Sequence, residues 1–178
     1  MREIRRAWAQ LTLLTLSLMG IGISIYLTAV HYTTTPLVCS TSGVINCERV
    51  LSSSYALVPG TDVPISIAGL AWFVIAGLLA VVNMYIWRQG ERAIQSIRVA
   101  QVGWSILGLL TAFYLVYVEI VKLDALCLWC TILHVIILVM LFITLTQMQR
   151  PSEEEEEVEK EEHEITPQIV KADTARRK

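Results

Sequence analysis

Four cysteines, arranged as two pairs, are the residues of this chain best suited to chemistry. Cys39 and Cys47 share one segment, and Cys127 and Cys130 form a Cys-x-x-Cys motif. Thiol–disulfide exchange proceeds by attack of a thiolate on a disulfide through a mixed disulfide, so electrons pass between dithiols that meet. A pair in a mobile loop together with a pair on a rigid helix would form such a relay.

The surroundings of the Cys-x-x-Cys motif favour a reactive thiol at Cys127. Asp124 is a natural N-cap, which predicts that a helix begins at Ala125. Cys127 would then lie in the first turn, where the positive end of the helix dipole favours a thiolate. Cys130 would lie one turn deeper on the same face, and His134 a further turn down.

Packing, metal binding and structural cross-linking could also account for the four cysteines. Cysteine packs as a small hydrophobe, but four such residues would not collect at one face for packing alone. A Cys₄ zinc site is disfavoured because the first pair is spaced too widely for a zinc knuckle, so we expect no metal. A non-catalytic tetraspan scaffold, stapled by two structural disulfides that do not exchange with a partner, is the alternative from another class.

Four apolar stretches are long enough to cross the hydrocarbon core of a bilayer, which takes about 20 helical residues each. The chain is 54% hydrophobic and 17% charged, which is more apolar than a water-soluble domain of this size usually is. We therefore predict an all-α integral membrane protein, a four-transmembrane-helix bundle with a large outer loop between helices 1 and 2. The predicted spans are residues 8–30, 65–87, 99–121 and 126–148, and the outer loop is residues 31–64.

The basic residues predict the orientation of the spans. The flanks on one side carry seven arginines: Arg2, Arg5, Arg6, Arg88, Arg92, Arg98 and Arg150. The loops on the other side carry only Arg49 and Lys122. The positive-inside rule then puts both termini in the cytoplasm and the four cysteines at the outer face of the cell membrane, where disulfides persist. The first stretch could instead be a cleaved signal peptide, but its core is long and lacks a convincing cleavage site.

The two ends of the chain are predicted to lie outside the membrane. Residues 1–7 form a short cytoplasmic N-terminus, and residues 149–178 form an acidic cytoplasmic tail. The Glu-rich composition of the tail predicts disorder. No basic stripe interleaved with aromatic residues suggests nucleic acid as a partner.

A few residues near the outer ends of the spans are candidates for contact with an electron acceptor. Because this acceptor must take two electrons and lie in the bilayer, we expect a quinone: menaquinone, ubiquinone or phylloquinone. His134 could bond a quinone oxygen or shuttle its proton, or it could simply bond a neighbouring helix. Trp72 and Tyr114 could line a quinone pocket by their depth, although aromatic packing alone explains them as well. Glu119, near the outer end of the third span, could relay protons, but we expect an interfacial glutamate in water.

The order of the cysteines resembles that of the vitamin K epoxide reductase family. In that family a spaced pair lies in the first outer loop and a Cys-x-x-Cys motif opens the fourth helix. The residues that carry the resemblance are Cys39, Cys47-Glu48-Arg49-Val50-Leu51-Ser52-Ser53 and Cys127-Leu128-Trp129-Cys130. The resemblance covers about residues 8–148.

The resemblance implies a role for each cysteine. Cys39 would meet the partner's thiol, and Cys47 would form a transient disulfide with Cys127. Cys130 would lie beside the quinone, and Ser53 would belong to a short loop helix that orders the active site. Many bacterial members carry a fused thioredoxin-like domain and this chain has none, so we expect a separate thioredoxin-like or DsbA-like partner, secreted or membrane-anchored.

Two positions depart from the vertebrate members of that family. His134 stands where they have a tyrosine, and Pro64-Ile65-Ser66 stands where they have an asparagine that bonds the quinone. We therefore expect quinone reduction coupled to disulfide formation, with Ser66 at the pocket, rather than reduction of an epoxide. A vitamin K epoxide or quinone reductase proper is the alternative enzyme.

Overall fold

The structure is a computed structural model that describes residues 2–33, 39, 44–86 and 91–148. Its helices are α1 (Arg2–Tyr32), α2 (Cys47–Leu51), α3 (Ile65–Ile86), α4 (Glu91–Tyr117) and α5 (Leu128–Met148). A 3₁₀ turn (Ser54–Ala56) follows α2, and a π-helical turn (Val118–Lys122) continues α4. The predicted tail, residues 149–178, lies outside the described residues, as do Arg88 and Arg150.

Four helices of the described part of the chain are candidate membrane spans: α1, α3, α4 with its π-helical turn, and α5. Their lengths and apolar composition suffice to cross a bilayer, and no strand occurs among the described residues. The predicted fold class, a four-transmembrane-helix bundle with a large loop between the first two spans, is confirmed. The chain divides into two units, residues 1–144 and residues 145–178, and all four cysteines belong to the first.

Large apolar side chains cover the outside of the bundle. Phe142 on α5 is 69% exposed and Leu110 on α4 is 61% exposed. Water would disfavour so much exposed apolar surface, whereas lipid tails solvate it well. The outer surface of the helices is therefore suited to a bilayer.

Polar side chains are found instead between the helices, at the end of the bundle that is remote from the cysteines. Asn83 of α3 donates a side-chain hydrogen bond to Gln101 of α4 (2.9 Å), and Gln101 donates one to Gln10 of α1 (3.3 Å). All three amides are buried. Amide bonds between helices are favoured in an apolar surrounding because the alternative is an unsatisfied polar group, so this network fixes the register of three helices.

Aromatic residues join α3 to α4 in the middle of the bundle. The indoles of Trp72 and Trp104 stack with centroids 6.4 Å apart, and each ring N–H donates to the other residue's backbone carbonyl, at 3.3 and 3.1 Å. This close approach depends on Gly108, since a Cβ atom there would overlap the Trp72 indole. Phe73 packs in the same way against Gly20 of α1.

Replacing Gly108 by alanine should destabilise the bundle. The added methyl group would push the Trp72 indole out of its place, and overpacking of this kind costs about 1–3 kcal/mol. The measurement is the thermal unfolding midpoint of the detergent-purified protein. Gly103→Ala is the matched control, because Gly103 lies on the same helix with nothing within 4 Å of its would-be Cβ atom. Equal midpoints for the two variants would contradict this packing of Trp72 against Gly108.

Candidate active site

The loop that carries Cys47 is tied by its backbone to the segment that carries Cys127. The backbone N–H of Asn46 donates to the carbonyl of Leu126 (3.0 Å), and the N–H of Leu126 donates to the carbonyl of Val44 (2.9 Å). Ile45 and Leu126 thereby form a parallel bridge. Because the two segments leave this bridge in the same direction, Cys47 and Cys127 follow it side by side.

A short helix begins directly after the bridge on the loop side. Asn46 is the N-cap of α2, and its side-chain oxygen accepts the backbone N–H of Arg49 (3.0 Å). At the other end of α2 the Ser53 hydroxyl donates to the carbonyl of Val50 (2.8 Å). Both ends of this short helix are thus held by side-chain hydrogen bonds, as a marginal helix requires.

The prediction that Asp124 caps the last helix is wrong. The carbonyl of Cys127 accepts the N–H of Thr131 (2.9 Å), so Cys127 itself is the N-cap residue and α5 begins at Leu128. Asp124 has a φ of 46° and forms a left-handed turn after the π-helical turn, a conformation that aspartate tolerates better than most residues. Cys127 therefore precedes the first turn of α5 but still lies at its positive end.

All four cysteines meet in one cluster. Cys39 and Cys47 form a disulfide with their Cα atoms 6.2 Å apart, and Cys127 and Cys130 are thiols. Cys47 and Cys127 are completely buried (0% exposed) in the same apolar cluster, and Cys39 and Cys130 pack against it. The structure thus brings together the two pairs that the sequence places far apart.

The inner pair, Cys127 and Cys130, is electrostatically asymmetric. Cys127 precedes the fourth span, and a hydrogen bond from the Cys130 thiol holds the pKa of Cys127 below its ordinary value, although burial acts in the opposite direction. Backbone N–H groups at the start of α5 also favour the thiolate of Cys127. The Cys127 thiol therefore loses its proton more readily than an ordinary buried thiol does.

A cavity of about 450 Å³ lies at the cysteine end of the bundle, between α2 and the membrane helices. This volume is within the range of roughly 300–1,000 Å³ typical of small-molecule sites. Five of the residues singled out from the sequence line it: Ser53, Ser66, Trp72, Cys130 and His134. Tyr114, also a candidate, does not line the cavity and is half exposed on α4.

The cavity has few polar groups, and they differ in whether their hydrogen-bonding capacity is already used. The Ser66 hydroxyl is hydrogen-bonded to the hydroxyl of Thr28 (2.9 Å). The ring N–H of Trp72 is used by Trp104, so Trp72 presents an apolar surface. His134 Nδ1 is buried and has no hydrogen-bond partner among the described residues, so a ligand in the cavity could supply the missing partner.

Glu119 differs most from its sequence-based expectation. Instead of lying in water, it is 3% exposed and lines the cavity. Its carboxyl group lies within hydrogen-bonding reach of the Cys127 backbone N–H and the Cys130 thiol. The sequence contained a usable signal, since Glu119 follows the buried residues Ser105 and Ala112 of α4 at heptad spacing. No group of three or more metal-ligating side chains occurs among the described residues.

The four apolar helices and the clustered cysteine pairs support a redox function in a membrane protein, and comparison with known families identifies the group to which the chain belongs. The model of the vitamin K epoxide reductase family matches residues 11–145, which include nearly all of the four-helix bundle and every cysteine. The chain therefore belongs to the vitamin K epoxide reductase family, and this membership supports an oxidoreductase function. No curated protein matches the chain significantly.

Removing the cap of α2 should loosen the hold on Cys47. In Asn46→Ala the backbone bridge remains, but the side-chain bond to the Arg49 N–H is lost, at a cost of about 1 kcal/mol. A fully reduced sample should then label at Cys47 about fivefold faster with a hydrophilic maleimide, as quantified by peptide mass spectrometry. Asn46→Asp keeps the acceptor and should label at nearly the wild-type rate. Unchanged labelling in Asn46→Ala would contradict the capping role.

Proposed function

We propose that this protein is a quinone-dependent thiol–disulfide oxidoreductase that oxidises a partner's dithiol and reduces a membrane quinone. One observation carries the proposal. Of the four cysteines, all of which the structure describes, only Cys130 lines the apolar cavity, while the other three lie outside it in the cluster that Cys47 and Cys127 form. An arrangement that leads from the cysteine cluster to the cavity suits transfer of electrons from a water-soluble donor to an acceptor dissolved in the bilayer.

The proposed relay begins at the outer pair, Cys39 and Cys47. A partner thiolate attacks the disulfide at Cys39, and the partner leaves as a disulfide while Cys39 and Cys47 become thiols. Cys39 suits this step because it is partly exposed, whereas Cys47 is completely buried. We propose a thioredoxin-like protein as the partner, since the family resemblance implies one.

The second step joins the pairs. Cys47 loses its proton and attacks a Cys127–Cys130 disulfide at Cys127, which forms a Cys47–Cys127 bond and frees Cys130 as a thiolate. Cys130 then takes up the proton that Cys47 has lost. Cys39 then attacks Cys47, restores the outer disulfide and releases Cys127. The lowered pKa of Cys127 favours this release, because a thiol of lower pKa leaves faster.

The cavity suits a quinone as the acceptor. When bound, a quinone accepts two electrons and two protons and becomes the quinol. The apolar surface of Trp72 would pack against its ring, and the unpartnered Nδ1 of His134 and the Ser66 hydroxyl would face its oxygens.

The orientation of the bundle belongs to the same proposal. The arginine-bearing starts of α1 and α4 lie at the end of the bundle opposite the cysteines, which supports cytoplasmic termini and an active site at the outer face. The outer face is the oxidising side in most cells, so a partner oxidised there would in turn introduce disulfides into secreted proteins.

Cys47→Ser should separate the two kinds of electron donor. The variant cannot form the Cys47–Cys127 bond, so quinone reduction by a reduced thioredoxin-like protein should fall at least ~100-fold. Dithiothreitol, which is small enough to reduce the inner pair directly, should still support turnover. The measurement is the loss of quinone absorbance with each donor, and an equal loss of rate with both donors would contradict the relay order.

Cys130→Ala should abolish quinone reduction with dithiothreitol, since the cavity would lose its reacting sulfur. Cys39→Ala is the matched control and should keep this activity, because it removes a cysteine of the outer pair only. The assay uses the detergent-purified protein with ubiquinone, menaquinone and phylloquinone in turn. Wild-type protein that is inert with all three would overturn the proposed function in favour of a disulfide-stapled scaffold, and turnover of the epoxide would favour the epoxide reductase alternative.

A further inference from the structure

We propose that the Glu119 carboxyl group is the base that takes the proton of the Cys130 thiol and passes it to the acceptor in the cavity. This inference rests on the proposed function and adds to it a proton path through a residue of the third span. Three observations support it: the position of Glu119 at the end of α4, the contacts of its carboxyl group with the inner cysteines, and the lack of a hydrogen-bond partner for its second oxygen among the described residues.

The end of α4 fixes Glu119 against the start of α5. The backbone carbonyl of Glu119 accepts the N–H of Ala125 (3.1 Å), and the carbonyl of Val118 accepts the N–H of Leu123 (3.0 Å), which closes the π-helical turn. Single π-helical turns inside helices are often found at functional sites. This turn holds the glutamate directly beside the segment from which both inner cysteines arise.

The carboxyl group contacts both members of the inner pair. It lies within hydrogen-bonding reach of the Cys127 backbone N–H and of the Cys130 thiol. The thiol of Cys130 has one proton and two possible acceptors, the Cys127 sulfur and the Glu119 carboxylate. The path from Cys130 to Glu119 therefore requires no movement of the backbone.

The second carboxyl oxygen, Oε2 of Glu119, is buried and has no hydrogen-bond partner among the described residues. A buried carboxyl oxygen without a partner is costly, and a native structure usually keeps one for a reason. Because Glu119 also lines the cavity, a bound acceptor could supply the missing contact. The two oxygens would then face the proton donor on one side and the proton acceptor on the other.

The chemistry of the inner pair requires such a path. Oxidation of Cys127 and Cys130 forms one S–S bond, breaks two S–H bonds and releases two electrons and two protons. Reduction of the quinone to the quinol takes up the same two electrons and two protons, so no further oxidant or reductant is needed. A free proton is not stable in an apolar cavity, whereas a carboxylate that accepts it and gives it up again ends each turnover unchanged.

The remaining titratable groups are less well placed for this step. Those that line the cavity besides Glu119 and Cys130 are His31 of α1, Tyr55 of the 3₁₀ turn and His134 of α5. The described residues of α3 that line the cavity include no titratable group, and Lys122 and Asp124, which follow Glu119, are exposed. Among these groups in the described part of the chain, only Glu119 also contacts both inner cysteines.

The test compares Glu119→Gln, Glu119→Asp and the control Glu48→Gln in the full-length, detergent-purified protein. Glutamine has nearly the shape of glutamate and still accepts the Cys127 N–H, but it cannot take a proton. Glu48 is an exposed glutamate on α2 beside Cys47. The first readout is the rate of Cys130 alkylation by N-ethylmaleimide in reduced, quinone-free protein as a function of pH, and the second is quinone reduction with dithiothreitol.

We expect the pH profile of Cys130 alkylation to lose one titration in Glu119→Gln, while Glu48→Gln keeps the wild-type profile. Quinone reduction should fall about 100-fold in Glu119→Gln, the usual worth of a positioned general base, and should be partly restored in Glu119→Asp. An active Glu119→Gln variant, or an inactive one whose alkylation profile is unchanged, overturns the proton path. Inert wild-type protein overturns the proposed function, which is a different result from an active wild type with an unaffected variant.

Discussion

The parallel backbone bridge between residues 44–46 and Leu126 is the constraint on which the rest of the site depends. Each of its two hydrogen bonds contributes only about 1 kcal/mol net. The bridge sets Cys47 beside Cys127, places Asn46 where it can cap α2, and lays α2 across the cavity. Without it, the loop pair and the helix pair would be separate dithiols with no fixed meeting point.

The bundle could be predicted from the sequence because a bilayer requires long apolar helices and leaves few other ways to satisfy the backbone. The pairing of the cysteines and the positions of Ser53, Ser66, Trp72 and His134 at one cavity followed from the same topology and from the family resemblance.

The bridge could not be predicted, because it joins residues far apart in the chain and has no side-chain signature. The start of α5 was misplaced since Asp124 suits a left-handed turn as well as an N-cap. Glu119 was expected in water because it is charged and lies near the outer end of the third span, although its helical register points inward. In each case a contact that forms only in the folded bundle outweighed the local preference of the residue.

The aromatic side chains inside the bundle leave few polar groups facing the cavity. Trp72 and Trp104 satisfy each other's ring N–H groups through backbone carbonyls of the facing helix, so neither indole requires a partner in the cavity. Gly108 lets the Trp72 ring approach α4 closely, and the space that a larger residue would fill is left to the ring. Polar groups at the cavity are then reduced to a few, and those that lack partners among the described residues, on Glu119 and His134, stand out against an apolar background.

The disulfide between Cys39 and Cys47 closes a ring with a sequence separation of only 8 residues. In the proposed cycle the Cys47–Cys127 bond, which replaces the inner Cys127–Cys130 disulfide, would instead enclose α2, the whole of α3 and α4. A cross-link over a longer loop removes more chain entropy from the unfolded state. The resistance of the protein to unfolding therefore changes with the disulfide that is present at each stage of turnover. The mixed disulfide would be the species of the relay whose cross-link encloses the longest segment of the chain.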